Sequence, residues 1–129
     1  MCIRDRSSED KDLVNSLKES VERVSFFVDP IEKQLEGSKE VGADRIEFYT
    51  GPYADNPGPN SIEPFVRCYT LGRELNLGIN AGHDLDLDNL AFFLKNVPAD
   101  EVSIGHALIS NALVLGIQNT VKQYLELCN

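Results

Sequence analysis

The segment INAGHDLDLDN, residues 79–89, and the segment VSIGHALIS, residues 102–110, share one pattern. In each, an apolar run typical of a buried strand ends in glycine and histidine, and a helical pattern follows. These two histidines, His83 and His106, are the only ones in the chain. Because the carboxyl ends of parallel strands lie at one edge of a sheet, we expect both imidazoles on the same rim.

The same alternation of strand and helix patterns extends over the rest of the chain. Apolar runs that predict strands begin near residues 24, 45, 76 and 101. Helices are predicted to start at Asp29-Pro30, at Ser61, near residue 88 and at residue 108, the last one continuing to residue 127. Short apolar strands joined by helices predict an α/β fold with a parallel sheet. That sheet could be open and doubly wound, or half of an eight-stranded barrel.

Length and composition favour a single globular domain. The chain has 129 residues, well short of the ~250 of a complete (β/α)8 barrel. Hydrophobic residues make up 42%, which is typical of a chain with a packed core. With 21 acidic and 12 basic residues the net charge is -9, so nucleic acid and anionic membranes are not expected as partners. A local phosphate site stays compatible with this charge, because backbone N–H groups bind phosphate.

The cysteines and the apolar patterning indicate a cytoplasmic location. Cys2, Cys68 and Cys128 form no CxxC pair, and an odd, scattered set favours free thiols in a reducing compartment. No run of ~18 apolar residues predicts a membrane span. The first residues are charged and lack the apolar segment of a signal peptide.

Three residues are candidates for chemistry. Glu47 lies in the second predicted strand, where a buried carboxylate is costly unless it is paired or protonated. A structural ion pair or a solvent-facing strand end would also explain it. His83 could serve proton transfer or merely hydrogen-bond its loop. His106 precedes a helix, and free N–H groups at a helix start attract an anion such as phosphate.

The acidic run Asp84, Asp86, Asp88 invites comparison with a calcium loop. That loop needs a glycine at its sixth position and a closing glutamate, and both are missing here. We therefore expect the run to cap the next helix. Two histidines without a nearby cysteine do not predict a zinc site.

The segments IEFYTGPYA, INAGHDL and VSIGHALIS resemble the pyridoxine 5'-phosphate synthases, which close the pyridine ring of vitamin B6. VSFFVDP, VGADRIE and the final helical segment resemble that family too, in the same order. The resemblance covers residues 8–129 and implies the C-terminal half of a TIM (β/α)8 barrel, with strands five to eight. Residues 1–7 do not resemble the family and are interpreted as a leader. The family's first-half motifs are absent, so the isolated chain is expected to be an inactive fragment.

The resemblance also implies a reaction in the transferase class. The family condenses 1-deoxy-D-xylulose 5-phosphate with 3-amino-2-oxopropyl phosphate and yields pyridoxine 5'-phosphate, inorganic phosphate and water. It needs no metal and no organic cofactor, and its members are homo-oligomers, commonly octamers. His83 resembles the family's proton donor, and Glu47 the glutamate that stabilises the transition state or relays protons. Asp84 lies at a substrate-contacting position, and Gly105 and His106 match the phosphate-contacting pair.

Two positions depart from the family pattern. Relatives usually have glycine in place of Asp84 and often histidine in place of Tyr49. A carboxylate beside a bound phosphate would repel it unless it points away. Two other hypotheses remain open at this point: a non-catalytic phosphate-binding α/β module, and another barrel enzyme that handles phosphosugars.

Overall fold

The structure is a computed structural model that describes residues 8–129, so the leader predicted over residues 1–7 lies outside the described residues. Helices and strands alternate along the chain. The strands are β1 Ser25–Val28, β2 Arg45–Tyr49, β3 Gly78–Gly82 and β4 Glu101–Ser103. The helices are α1 Ser8–Lys18, α2 Glu32–Glu40, α3 Gly51–Ala54, α4 Pro59–Glu74, α5 Leu90–Asn96, α6 His106–Leu115 and α7 Ile117–Leu127.

The four strands form one parallel sheet in the order β1-β2-β3-β4. Ile46 pairs with Phe26 on one side and with Ile79 on the other. The order contains no reversal, whereas a doubly wound sheet reverses its strand order at one point. Right-handed crossovers in a sheet of this order place the connecting helices on one face. The predicted parallel sheet with flanking helices is therefore confirmed.

The two faces of the sheet differ in chemistry because successive side chains of a strand point to opposite sides. One face is apolar and buried, and helix residues such as Leu35, Phe65 and Leu90 belong to the same core. Its strand residues are Val28, Ile46, Phe48, Ile79 and Ala81. The other face carries Phe27, Arg45, Glu47, Tyr49, Asn80 and Glu101. Phe27 on this polar face is 51% exposed.

A charged network crosses the amino-terminal end of the polar face. Arg23, just before β1, places Nη1 2.7 Å from Oε1 of Glu101, the first residue of β4. Arg45 lies between them, donates to Asn80 Oδ1 at 3.0 Å and reaches Asp100 Oδ2 at 3.3 Å. The hydrogen bond from Arg23 lowers the pKa of the Glu101 carboxyl. The network thus ties together the two outer strands of the sheet.

Two predicted helix starts are wrong. Helix α2 begins at Glu32, since the Asp29 carboxylate accepts a hydrogen bond from Gln34 Nε2 and does not cap the helix. The Asp29 N–H donates to Gln34 Oε1 at 2.8 Å. Helix α4 begins at Pro59, which needs no N–H partner in the first turn. Ser61 lies inside that turn and donates to the Asn56 carbonyl at 2.7 Å.

The single helix predicted over residues 108–127 is also wrong. Gly116 has a φ of 80°, a left-handed conformation that separates the end of α6 from the start of α7. A single helix would bring Leu113, Ile117, Val121 and Leu125 to one face, yet all four are exposed, with Leu113 at 84%. Thr120 and Tyr124 are the buried residues of α7.

The predictions of free thiols and of no membrane span can be compared with the structure over residues 8–129. Cys68 is buried and Cys128 is exposed, and both are free thiols. Burial raises the pKa of the Cys68 thiol to about 11. Cys2 lies outside the described residues. Within the described part of the chain, no helix combines the length and the apolar character that a membrane span requires.

Candidate active site

Glu47 lies on the polar face of β2, and its carboxylate extends toward the carboxyl end of the neighbouring strand. It pairs in register with Asn80, yet its Oε1 occupies the place that a Cβ would take at Gly82, two residues further on. The Ser103 Cβ lies 2.9 Å from the same point. Only glycine at position 82 leaves this room. Within residues 8–129 the half-buried Glu47 carboxylate has no ion pair, so the structural ion pair that was considered for it is not found there.

His83 directly follows β3 and begins a turn with unusual backbone angles. His83 has a φ of 95° and Asp84 a φ of 57°, and residues other than glycine rarely adopt such backbone angles. The imidazole is exposed and lies edge-on against the Tyr49 ring, with 4.8 Å between ring centroids. Tyr49 in turn contacts Phe27 at 5.7 Å. A row of rings thus runs along the polar face to His83.

Asp84 brings the two histidines together. Its Oδ2 lies 2.7 Å from His83 Nδ1, and its Oδ1 lies 3.7 Å from His106 Nε2. Both imidazoles therefore lie at the carboxyl end of the sheet, as the two Gly–His segments predict. The Asp84 carboxylate points at the imidazoles rather than away from them.

His106 is the first residue of α6, and Gly105 precedes the helix as its N-cap. Within residues 8–129, no side chain caps the N-terminus of α6. Among the described residues other than Gly105 and its two chain neighbours, no heavy atom lies within 4 Å of the place that a Cβ would take at Gly105. The first N–H groups of a helix have no partner inside it, so the start of α6 can accept an anion.

A comparison with models of known protein families assigns the chain to one family. The model described as "Pyridoxal phosphate biosynthesis protein PdxJ" matches residues 2–129. The chain belongs to the PdxJ family. Among curated relatives it is 50% identical over 121 residues to the pyridoxine 5'-phosphate synthase of Christiangramia forsetii, covering 91% of this chain and 51% of the relative. The synthase of Cytophaga hutchinsonii is 48% identical over 119 residues, with 89% and 50% covered. The chain thus spans about half the length of the curated relatives it matches.

In this PdxJ-family chain, residues that sequence reasoning missed hold the turn that carries His83 and Asp84. Thr50 follows β2, is fully buried, and donates through Oγ1 to the Gly82 carbonyl at 2.8 Å. Asn89 donates from Nδ2 to the Asp84 carbonyl at 3.0 Å. The Tyr53 hydroxyl, itself buried, donates to the Asn89 carbonyl at 2.7 Å. A threonine between a strand and a Gly-Pro turn is the one signal in the sequence that could have drawn attention to Thr50.

The acidic run does not act as one unit. Asp86 Oδ1 accepts the backbone N–H groups of Asp88 and Asn89, both at 2.9 Å, and so closes the turn before α5. Asp84 faces the histidines instead. Among the residues that the structure describes, no group of three or more His, Cys, Asp or Glu side chains is arranged to hold a metal ion.

Proposed function

We propose that residues 8–129 form the C-terminal half of a pyridoxine 5'-phosphate synthase. The complete enzyme would condense 1-deoxy-D-xylulose 5-phosphate with 3-amino-2-oxopropyl phosphate to give pyridoxine 5'-phosphate, phosphate and water. The observation that carries this proposal is a grouping at the carboxyl end of one parallel sheet: the Glu47 carboxylate, which has no ion pair within residues 8–129, lies over Gly82, and the two imidazoles face Asp84 nearby. Membership of the PdxJ family supports it, because the relatives carry the synthase name.

A half barrel accounts for the arrangement of the sheet. Its four strands run in chain order, the apolar face packs against helices, and the polar face carries Glu47 and Tyr49. In a (β/α)8 barrel such a polar face would line the interior, and the active site would lie at the carboxyl ends of the strands. The relatives are about twice as long as the matched segment, which leaves length for strands one to four. We therefore assign β1 to β4 as strands five to eight.

His83 and Glu47 would carry the proton transfers of the reaction. Imine formation, loss of water and ring closure each move protons, and a positioned acid or base typically contributes ~10²–10⁴-fold. The imidazole of His83 is exposed at the rim and held against Tyr49, so it can donate a proton to a bound substrate. The Glu47 carboxylate lies over Gly82, and Gly82 is the residue directly before His83. There it would stabilise positive charge or relay a proton.

Gly105 and His106 would hold a substrate phosphate at the start of α6. Backbone N–H groups and the helix dipole favour an anion there, and an imidazolium adds a charge-assisted hydrogen bond. Asp84 opposes this binding, since its carboxylate lies 3.7 Å from His106 Nε2. A phosphate would bind best with the Asp84 side chain rotated away from His106.

Joining the chain to the missing half tests the proposal. The N-terminal half of the Christiangramia forsetii synthase would be fused before residue 8, and product formation would be measured with both phosphorylated substrates. We expect turnover from the fusion, negligible turnover from the 129-residue chain, and loss of turnover in His83→Gln and Glu47→Gln. Glu63→Gln is the matched control, because within residues 8–129 the ion pair of Glu63 is with Arg67 on the surface of α4.

The outcomes separate the hypotheses. A folded fusion that binds inorganic phosphate but forms no product would favour the non-catalytic phosphate-binding module. Turnover of other phosphosugars alone would favour a different barrel enzyme. Robust product from the chain by itself would contradict the assignment as half of an enzyme.

A further inference from the structure

The turn that carries His83 needs an external support. His83 and Asp84 both have positive φ, and two such residues in succession are unfavourable for L side chains. Conformations of this kind persist only where the surrounding structure holds them. The groups that bind the carbonyls of this turn therefore decide where the His83 imidazole lies.

Thr50 binds the first part of the turn from the neighbouring strand. Its N–H donates to the Gly82 carbonyl at 3.0 Å, and its Oγ1 lies 2.8 Å from the same oxygen. The Oγ1 atom is also within hydrogen-bond distance of the His83 carbonyl. A hydroxyl has one proton, so the two carbonyls share it. Thr50 is 0% exposed, and water does not compete for these contacts.

Gly82 connects this support to the second candidate catalytic group. The Glu47 carboxylate lies over Gly82, where a Cβ would collide with it. The Gly82 peptide that Thr50 binds thus lies against the Glu47 carboxylate and also begins the turn that carries His83. A shift of this peptide would move the carboxylate and the imidazole together.

We propose that Thr50 is a positioning residue of the site: its hydroxyl fixes the Gly82–His83 turn, and through that turn it sets the place of the His83 imidazole against Tyr49 and of the Glu47 carboxylate. The geometric part concerns this chain alone, and the catalytic part rests on the proposed function. Thr50→Val keeps the shape of the side chain but leaves the His83 carbonyl without its hydroxyl partner. Thr50→Ser keeps the hydroxyl.

The chain has only two histidines, so its imidazole NMR signals report the turn directly. Tyr49→Leu gives the chemical shifts of the His83 signals without the Tyr49 ring, whose centroid lies 4.8 Å from that of the imidazole. In Thr50→Val the chemical shifts of the His83 signals are expected to move toward those in Tyr49→Leu, and the His106 signals are expected to move less. Thr50→Ser is expected to restore the His83 signals of the unaltered chain. The matched control is Thr120→Val, since the buried Thr120 hydroxyl has no hydrogen-bond partner within residues 8–129.

Each result decides the proposal. Unchanged His83 signals in a folded Thr50→Val chain would overturn it. If Thr50→Val does not fold by circular dichroism, Thr50→Ser and Thr50→Ala replace it, because serine and alanine differ only by the hydroxyl. His83 signals kept in serine and displaced in alanine would support the proposal. If both variants without a hydroxyl unfold, Thr50 serves the fold as a whole and the proposal is wrong.

A kinetic readout extends the test to the fused enzyme described above. Misplacing a catalytic group by about 1 Å can lower the rate ~100-fold. We therefore expect Thr50→Val to lower kcat by about 10- to 100-fold and to change KM by less than about threefold, with recovery in Thr50→Ser. A fusion without any turnover would contradict the proposed function, while the NMR result on Thr50 would stand unaffected.

Discussion

The Asp84 carboxylate lies 2.7 Å from Nδ1 of His83, the residue before it in the chain. Both residues have a positive φ, and the same carboxylate faces His106. Asp84 therefore occupies, with its own negative charge, the space between two groups that would otherwise attract an anion. Its effect on phosphate binding follows from this position.

Asp84→Asn is expected to tighten the binding of inorganic phosphate to the chain. Asparagine tolerates a positive φ and keeps the shape of the side chain, so the change removes the charge and little else. For a partly exposed carboxylate a few ångströms from the anion, we expect about a 3- to 10-fold gain in affinity at low ionic strength. Phosphate titration followed on the His106 imidazole signals measures it. Asp88→Asn, at an exposed position of the same loop, is the control, and equal affinity in all three chains would refute the effect.

Gly82→Ala is expected to destabilise the fold by about 1–3 kcal/mol, the usual range for an added methyl group in a filled site. The new Cβ would collide with Glu47 Oε1 and would lie 2.9 Å from the Ser103 Cβ. Urea unfolding measures the loss. Adding Glu47→Ala to Gly82→Ala should recover part of it, because the main obstacle is then gone.

Gly58→Ala provides the comparison for this experiment. Apart from Gly58 and its two chain neighbours, no heavy atom of the described residues lies within 4 Å of the Cβ position at Gly58. Its backbone is extended, with a φ of 170°, so alanine fits there. Similar losses of stability at positions 82 and 58 would show that the Glu47 carboxylate does not lie over Gly82.

Acid should weaken the fold through two carboxyl groups. The pKa of Glu101 is lowered mainly by the hydrogen bond from Arg23, and that of Asp44 mainly by the hydrogen bond from Lys18. A group with a lowered pKa in the folded state stabilises the fold above its unfolded pKa, which is about 4 for Asp and Glu. That contribution is lost as the pH falls through the folded pKa.

The free energy of unfolding is therefore expected to stay level from about pH 7 to pH 5 and to fall below about pH 4. Urea unfolding at several pH values measures it. The double variant Glu101→Gln, Asp44→Asn should be less stable at pH 7 and should show a shallower fall in acid. An equally steep fall in that variant would assign the acid sensitivity to other groups.

The strands could be predicted well because each depends on its own local sequence. Predicted starts near residues 24, 45, 76 and 101 compare with observed starts at Ser25, Arg45, Gly78 and Glu101. Short apolar runs report burial directly, so the sheet follows from them. Helix starts depend on the hydrogen-bond partners of individual polar groups. A spacing pattern does not show that Asp29 forms a hydrogen bond with Gln34.

The site could be predicted only in part for the same reason. The two Gly–His segments indicate one rim, since strand ends in a parallel sheet share an edge. The contact of Asp84 with both imidazoles and the support from Thr50 depend on positive φ values at residues 83 and 84. Such angles arise where tertiary contacts outweigh the local preference of the chain, so they do not follow from residue types alone.

The exposed apolar residues of α6 and α7 predict self-association of the chain. Leu113 and Val114 are each 84% exposed, and Ile109, Ile117 and Leu125 are exposed as well. Exposed apolar side chains on neighbouring helices promote association in water. We expect Leu113→Lys to reduce the apparent mass in light scattering and sedimentation at a given concentration. The free energy of unfolding should change by no more than about 0.5 kcal/mol, because the side chain buries little surface. Gln118→Lys adds the same charge at an exposed polar position of α7 and should leave the mass unchanged. An equal reduction in both variants would attribute the effect to net charge rather than to the apolar surface.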